Sequence, residues 1–439
     1  MEIFQITKVF TPTTPARIAF VDREQFNDKL VNALQMPGKQ LIVYGHSGSG
    51  KTTLLINKLN QLYERHITTH CMKGMIFDQL VMDAFDQLGH YYTCEVITAS
   101  KKTEATELTS KYLMIQGKMS ASVTHELTKK EQRIIPPQLT SQTLGKLLGA
   151  AKCCWILEDF HKIDDAEKPR LSQMMKVFMD LSDNYDQLKI IALGAVDTAR
   201  QVVEYDKEMR NRVAEIPVEL MTEKEIESIV RKGEKALNIK FQDGIVSLIA
   251  QYSNGLASVC HHLCLYMCQS AGLTETSLEK VVLNHSNFES ALKLYVEEAS
   301  DSIRSLFDKA LKPRRKTIYN HATLVLEALS TFNERGASRA DILKRIKRKE
   351  QKYTEPSLKS TLNKLSTEEY GMLVRFDQTS GLYSFSDPIY RAFALAHFHK
   401  NGIPNSSRTQ GTTPPLAQVL DELVKLIKLN PQLKFNVNS

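Results

Sequence analysis

The sequence predicts an α/β fold, a parallel sheet flanked by helices, followed by an all-α region and a small helix-and-hairpin domain. Three observations predict it. Residues 41–44 form an apolar run that leads into Gly45-His46-Ser47-Gly48-Ser49-Gly50-Lys51-Thr52 and then into apolar positions at helical spacing. Residues 153–157 form a second apolar run, which ends in two acids, Glu158 and Asp159. From residue 219 onward apolar positions recur mostly at helical spacing, until two short alternating segments at 373–376 and 382–385.

The first observation is the P-loop pattern G-x-x-x-x-G-K-[ST] in its required setting, after a strand and opening a helix. Its glycines let the backbone curl so that successive N–H groups point at phosphate oxygens. The following helix adds the positive end of its dipole. Lys51 is placed to reach the β/γ-phosphates and the Thr52 hydroxyl to ligate Mg²⁺, with Thr53 beside it in the first helical turn. The fold class is therefore an α/β P-loop NTPase, and ATP and Mg²⁺ are its expected cofactors.

The second observation is the Walker B pattern. A buried parallel strand delivers two carboxylates to its C-terminal edge, where open α/β sheets bind ligands. By position Glu158 is the metal-side acid and Asp159 the water-side acid. The residues from 187 to 196 read as another buried strand.

Length and composition bound the rest. At 439 residues the chain calls for two to four domains. We read 1–218 as the ATPase core, 219–312 as a helical lid, 313–400 as a winged helix, and 401–439 as a linker with a short amphipathic helix. Residues 98–137, polar and rich in Lys, Thr and Ser, read as an insertion in the core. No apolar run is long enough to span a membrane, and the N-terminus lacks the order of a signal peptide, so a cytoplasmic protein is expected. Seven cysteines are an odd number and suit reduced, buried thiols. Cys260, Cys264 and Cys268 recur at i, i+4, i+8, a spacing of core packing rather than of a zinc site. The net charge of +7 is unevenly placed: residues 301–352 hold 14 Lys/Arg against 6 Asp/Glu, which suggests a surface facing a polyanion.

Taken in order, the chain next resembles a family. The segment Phe20-Val21-Asp22-Arg23-Glu24 ahead of the P-loop resembles the F-x-x-R-E element of ATPases that include origin-initiator AAA+ proteins and the STAND switch ATPases. The resemblance implies that Arg23 and Glu24 lie against the adenine. It also implies a polar sensor near the end of the 187–196 strand, where Asp197 or Thr198 could serve. An arginine just before the next strand, Arg210 or Arg212, would reach the γ-phosphate on a neighbouring subunit, so a homo-oligomer is expected. The family's usual order at Walker B is Asp then Glu. The reversed order here leaves the shorter side chain at the catalytic place and suits a slow switch better than a motor.

Thr222 and Glu225 fit a capping box that opens the lid, with helices expected at 223–237, 242–252, 257–271 and 278–299. Ser253-Asn254-Gly255-Leu256-Ala257 occupies the place of the G-x-P motif of the STAND class, and His261 or His262 could face the phosphates. Helices at 320–332, 339–350 and 355–365, then a hairpin, make a winged helix in this order. The stretch Asp387-Pro388-Ile389-Tyr390-Arg391 resembles the end of the winged helix in STAND-like ATPases. Lys359, Ser360, Asn363 and Lys364 would face a major groove, and Lys344, Arg345, Lys347, Arg348 and Lys349 the phosphates.

Two functions follow from the resemblance. One is an ATP-binding, slowly hydrolysing switch that couples nucleotide state to oligomerisation or to a companion effector protein, in anti-phage defence among other settings. The other is an AAA+ ATPase bound to duplex DNA through its basic winged helix, in replication initiation or transposition. A metabolic kinase would need an acceptor-substrate site, and none is recognisable in the sequence.

Overall fold

A computed structural model describes residues 2–62, 65–88, 140–195, 211–299, 301–312 and 319–399. The expected insertion at 98–137, the sensor candidates Asp197 and Thr198, Arg210, and the linker and helix of 401–439 lie outside the described residues. Residues 1–399 form one compact unit.

Five parallel strands make the central sheet: β1 (Gln40–Gly45), β2 (Arg65–His70), β3 (Cys153–Glu158), β4 (Ile190–Gly194) and β5 (Val213–Val218), in the spatial order β2-β3-β4-β1-β5. The three inner strands are almost wholly buried, as expected for a parallel sheet covered on both faces. Alternation along β3 assigns its residues to the two faces. Cys153, Trp155 and Leu157 join a core with Phe77, Leu80, Leu144 and Phe178, from the helices Phe77–Leu88, Ser141–Ala150 and Lys168–Leu181. Cys154 and Ile156 join Leu30, Leu34, Leu54 and Leu59, from the helices Glu24–Gln35 and Lys51–Leu62 on the other side. Because β4 lies between β1 and β3, the P-loop and the two acids flank its C-terminal end.

Strand β2 carries no apolar run of its own that would mark it as a strand in the sequence. It pairs with β3 from Arg65↔Cys153 to His70↔Glu158. Its residues are mostly polar because it is an edge strand, with only Ile67 and Thr69 turned into the core. Thr69 accepts a hydrogen bond from the buried Trp155 Nε1 at 2.9 Å.

The helical region expected as a lid follows. Thr222 and Glu225 form the predicted capping box on the helix Glu223–Leu237. The helices Ile245–Ser253 and Ala257–Ser270 pack on it, and Cys260, Cys264 and Cys268 are buried in their shared core. The expected helix at 278–299 begins differently. Residues Val281–Leu283 are a strand, β7, paired in parallel with β6 (Ile239–Phe241). Asn284 then caps the helix His285–Glu298, its side chain accepting from the N–H groups of Ser286 and Asn287.

The N-terminal segment packs with this lid. Ile6, Val9 and Phe10 are buried among Ile226, Ile229 and Cys260. Thr276 ties it down by donating to Ala236 O at 2.9 Å and accepting from Phe4 N–H at 2.9 Å. The expected core boundary of 1–218 thus cuts across a shared hydrophobic cluster.

In the C-terminal unit the helices His321–Ser330, Arg339–Lys347 and Glu355–Leu365 precede an antiparallel hairpin, β8 (Val374–Asp377) with β9 (Leu382–Phe385), and a last helix, Pro388–His397. The helix Asp301–Leu311, read as lid, contributes Phe307 and Ala310 to the core of this unit. Among the described residues, no helix is long and apolar enough to cross a membrane.

Candidate nucleotide site at the sheet edge

The P-loop begins where β1 ends. Gly45, Gly48 and Gly50 all have positive φ, at 157°, 77° and 89°. Gly48 also leaves no room for a side chain, since a Cβ there would sit 2.2 Å from Ser258 Oγ. The N–H groups at the start of the helix Lys51–Leu62 have no acceptor inside the helix, because the helix has no residues four positions earlier. They face the sheet edge with the dipole's positive end behind them. Ser49 Oγ is buried in the loop with no hydrogen-bond partner. An orphaned hydroxyl inside a ring of backbone donors fits an anionic guest such as a phosphate chain.

Lys51 Nζ donates to the carbonyls of Gly45 at 3.0 Å and His46 at 2.8 Å, so the ammonium sits over the loop. Burial lowers its pKa, and the charges of Asp159, Asp387 and Glu158 oppose that shift. Thr52 Oγ1 donates to Glu158 Oε1 at 2.8 Å. Glu158 Oε2 lies 3.2 Å from His70 Nδ1. A hydroxyl and a carboxylate in contact are hard oxygen donors of the kind Mg²⁺ prefers. Thr52 and Glu158, expected as metal ligands, are thus side by side.

Asp159 leaves the strand in a left-handed conformation, φ 58° and ψ 33°. A non-glycine residue there is strained, and such strain concentrates at functional sites. The turn aims the carboxylate along the short helix Phe160–Lys162, where Lys162 Nζ meets Asp159 Oδ2 at 2.6 Å. Both partners are about half exposed, at 48% and 47%.

The lid and the C-terminal unit both reach this edge. Ser258 N–H donates to Gly48 O at 3.2 Å, and Met221 Cε would lie 3.9 Å from a Cβ on Gly50. His46 is half buried. Burial lowers its pKa; Asp387 of the C-terminal unit raises it, and Arg375 and Lys51 lower it further. The charges of Asp387 and Arg375 act on His46 from more than 300 positions away in the chain, and nothing local in the sequence signals this.

The other predicted site residues fall elsewhere. Arg23 is 5% exposed, and each of its three guanidinium nitrogens makes a hydrogen bond. It donates to Glu225 Oε1 at 2.9 Å, to Glu219 O at 3.0 Å and to Leu220 O at 3.3 Å, and it stacks 4.3 Å over Phe26. Arg23 thus grips the hinge between β5 and the lid. Arg212 precedes β5 at the opposite end of the sheet, beside Asp180 at 3.3 Å. Five strand residues separate its edge from the P-loop edge, about 16 Å at the usual strand rise. Its place rules out a role at its own P-loop. His261 does not face the phosphates either. It is buried under Phe10 and accepts from Thr11 N–H through Nδ1 at 3.0 Å. His262 is turned to Tyr266 and Tyr295 within the lid.

No protein-family model matches the sequence, and no curated protein matches it. Solved structures match its fold at low identity. The Walker-type ATPase paby2304 of Pyrococcus abyssi is 15% identical over 85% of this chain and 96% of its own, with a TM-score of 0.48. Cdc6p of Pyrobaculum aerophilum is 14% identical over 89% of this chain and 97% of its own, with a TM-score of 0.41. The Aeropyrum pernix ORC1 protein, solved in complex with DNA, is 14% identical over 90% of this chain and 97% of its own, with a TM-score of 0.41. The strands, their order and the P-loop at the end of β1 make the chain a P-loop NTPase fold followed by a mainly helical region.

Proposed function

We propose that this protein is an ATP- and Mg²⁺-binding AAA+-type ATPase that works on duplex DNA. One observation carries the nucleotide part: Lys51, Thr52 and Glu158 meet at the C-terminal edge of the sheet, under a lid turn bonded to Gly48. The residues cradling the phosphates are Gly45, His46, Ser47, Gly48, Ser49, Gly50, Lys51, Thr52 and Thr53. Bound Mg²⁺ would supply charge neutralisation on the phosphates, and Thr52 and Glu158 are the residues to hold it.

The DNA part rests on the C-terminal unit, which we read as a winged helix. Lys359, Ser360, Asn363 and Lys364 are exposed on one helix, and Lys344, Lys347 and Arg348 on the helix and turn before it. The hairpin adds exposed Arg375 and Phe376. Basic side chains facing outward suit phosphate contacts, and the polar helix face suits base edges. Arg212, exposed at the β5 edge, is placed to act on a neighbouring copy in a homo-oligomer.

A second reading is a slow switch that controls an effector, as in anti-phage defence. The Asp159–Lys162 ion pair favours it, because a water-side acid tied to a lysine is not free to orient the attacking water. ATP turnover with and without duplex DNA, with Lys51→Ala as the blank, separates the two. Turnover stimulated by DNA, and DNA affinity that falls steeply with salt, support the first reading. Unstimulated, near-zero turnover with nucleotide retained through purification refutes it in favour of the second.

A further inference from the structure

The turn at residues 253–258 touches three parts of the molecule at once. At one end, Ser258 N–H donates to the P-loop carbonyl of Gly48 at 3.2 Å. In the middle, Gly255 O accepts from Met221 N–H at 2.8 Å, on the hinge between the sheet and the lid. At the other end, Asn254 reaches the C-terminal unit. Its Nδ2 donates to Pro388 O at 2.9 Å, and its Oδ1 accepts from Arg391 Nη1. Both ends of one amide are spent on the helix Pro388–His397. Two residues earlier, Tyr252 OH lies 2.5 Å from His399 Nδ1, just past the end of the same helix.

We infer that Asn254 couples the P-loop to the C-terminal unit, so that a shift of the Gly48 carbonyl is passed through this turn to the helix Pro388–His397. The inference rests on the nucleotide-binding reading above and names the residues that carry its effect outward. Three observations support it. Asn254 and Arg391 are buried, at 7% and 9% exposed, so water cannot substitute for their bond. Arg391 Nε is buried without a partner, so the hydrogen bond to Asn254 is the one described for this guanidinium. The Asn254 amide is held at both ends, by Pro388 O and Arg391 Nη1, on a backbone that adopts the left-handed conformation, φ 49°, as the C-cap of the helix Ile245–Ser253. An amide so fixed transmits displacement, whereas a side chain free to rotate would absorb it. Asp387 begins the receiving helix, with Oδ1 accepting from Ile389 N–H at 2.9 Å, and its charge acts on His46 and Lys51 of the P-loop.

Hydrogen exchange of the full-length protein tests this. Exchange of residues 388–398 is followed by mass spectrometry with Mg²⁺ and either ADP or a slowly hydrolysed ATP analogue, for wild type, Asn254→Ala and Arg391→Gln. Affinity for a fluorescent ATP analogue is measured on the same samples. In wild type the two nucleotides should give exchange rates about tenfold apart, within the range of ordinary allosteric coupling. In both variants the difference should vanish while nucleotide affinity stays within about threefold of wild type. Two variants that act alike guard against one that merely misfolds, and their circular dichroism reports that directly. A wild type that binds nucleotide without any exchange difference overturns the inference, and so do variants that keep the difference. A wild type that binds no nucleotide overturns the functional reading and the inference together.

Discussion

Acidification should loosen the lid through one histidine, His261. Its ring is buried, and its Nδ1 accepts the Thr11 N–H at 3.0 Å, so the proton of the neutral form sits on Nε2. Burial, with a smaller push from His262, lowers its pKa to about 4 from the ordinary histidine value of 6.5. The unfolded chain therefore binds this proton more readily than the folded one between those two values. Stability rises with pH across that window and is lost as pH falls through it. One group shifted this far accounts for about 2 kcal/mol lost between about pH 7.5 and about pH 5, and about 3 kcal/mol once fully protonated. Protonation would also turn Nδ1 into a donor facing the Thr11 donor, so the N-terminal segment should release first. The perturbation is His261→Asn, which keeps an acceptor near the Nδ1 position and cannot titrate. The assay is urea unfolding followed by helical circular dichroism at several pH values. Other titrating groups cancel in the difference between wild type and variant. That difference should narrow by about 2 kcal/mol on acidification. Parallel pH profiles for the two proteins would refute the argument.

Five further outcomes are expected. Lys51→Ala should weaken binding of a fluorescent ATP analogue at least about tenfold, since a charge-assisted contact to phosphate is lost, and Thr52→Ala should abolish the difference between binding with and without Mg²⁺. Gly233→Ala should lower the urea midpoint, because its Cβ would lie 2.2 Å from Phe10 Cζ; overpacking of this kind costs about 1–3 kcal/mol, and adding Phe10→Leu should restore most of it. Arg23→Ala removes the partner of Glu225 Oε1 and of two hinge carbonyls, and should cost about 3 kcal/mol in the same assay. Lys162→Ala should raise steady-state phosphate release, by no more than about fivefold because a half-exposed ion pair is worth at most about 1 kcal/mol; an unchanged rate would mean that Asp159 is not the water-side acid.

The parts of the fold that sequence reasoning reached are those fixed by local chemistry. The P-loop glycines, the continuous apolar run of β3 and the Thr222–Glu225 capping box each carry their own signal within a few residues. Elements whose stability comes from a distant partner were not reached. β2 reads as polar because half of it faces solvent, and it is a strand because β3 lies beside it. Residues 281–283 read as helical until β6 offers them hydrogen bonds. The start of the chain belongs with the lid because Phe10 fills the space that Gly233 leaves, a fit between positions more than 200 residues apart.

The candidate site divides along the same line, and the division bears on function. Lys51, Thr52 and Glu158 were assigned from spacing, and they meet at the sheet edge. Arg23 was assigned by resemblance to the base, yet its donors hold Glu219, Leu220 and Glu225. An arginine clamped to a hinge sets the angle of the lid over the P-loop, so it can influence nucleotide binding without touching the nucleotide. Asn254 acts on the opposite end of the same lid, where it holds the helix Pro388–His397. Among the groups that fasten the lid are a buried cation, Arg23, on the sheet side and a buried amide, Asn254, on the side of the helix Pro388–His397. A change at the P-loop that moved the lid would have to strain one of these fastenings.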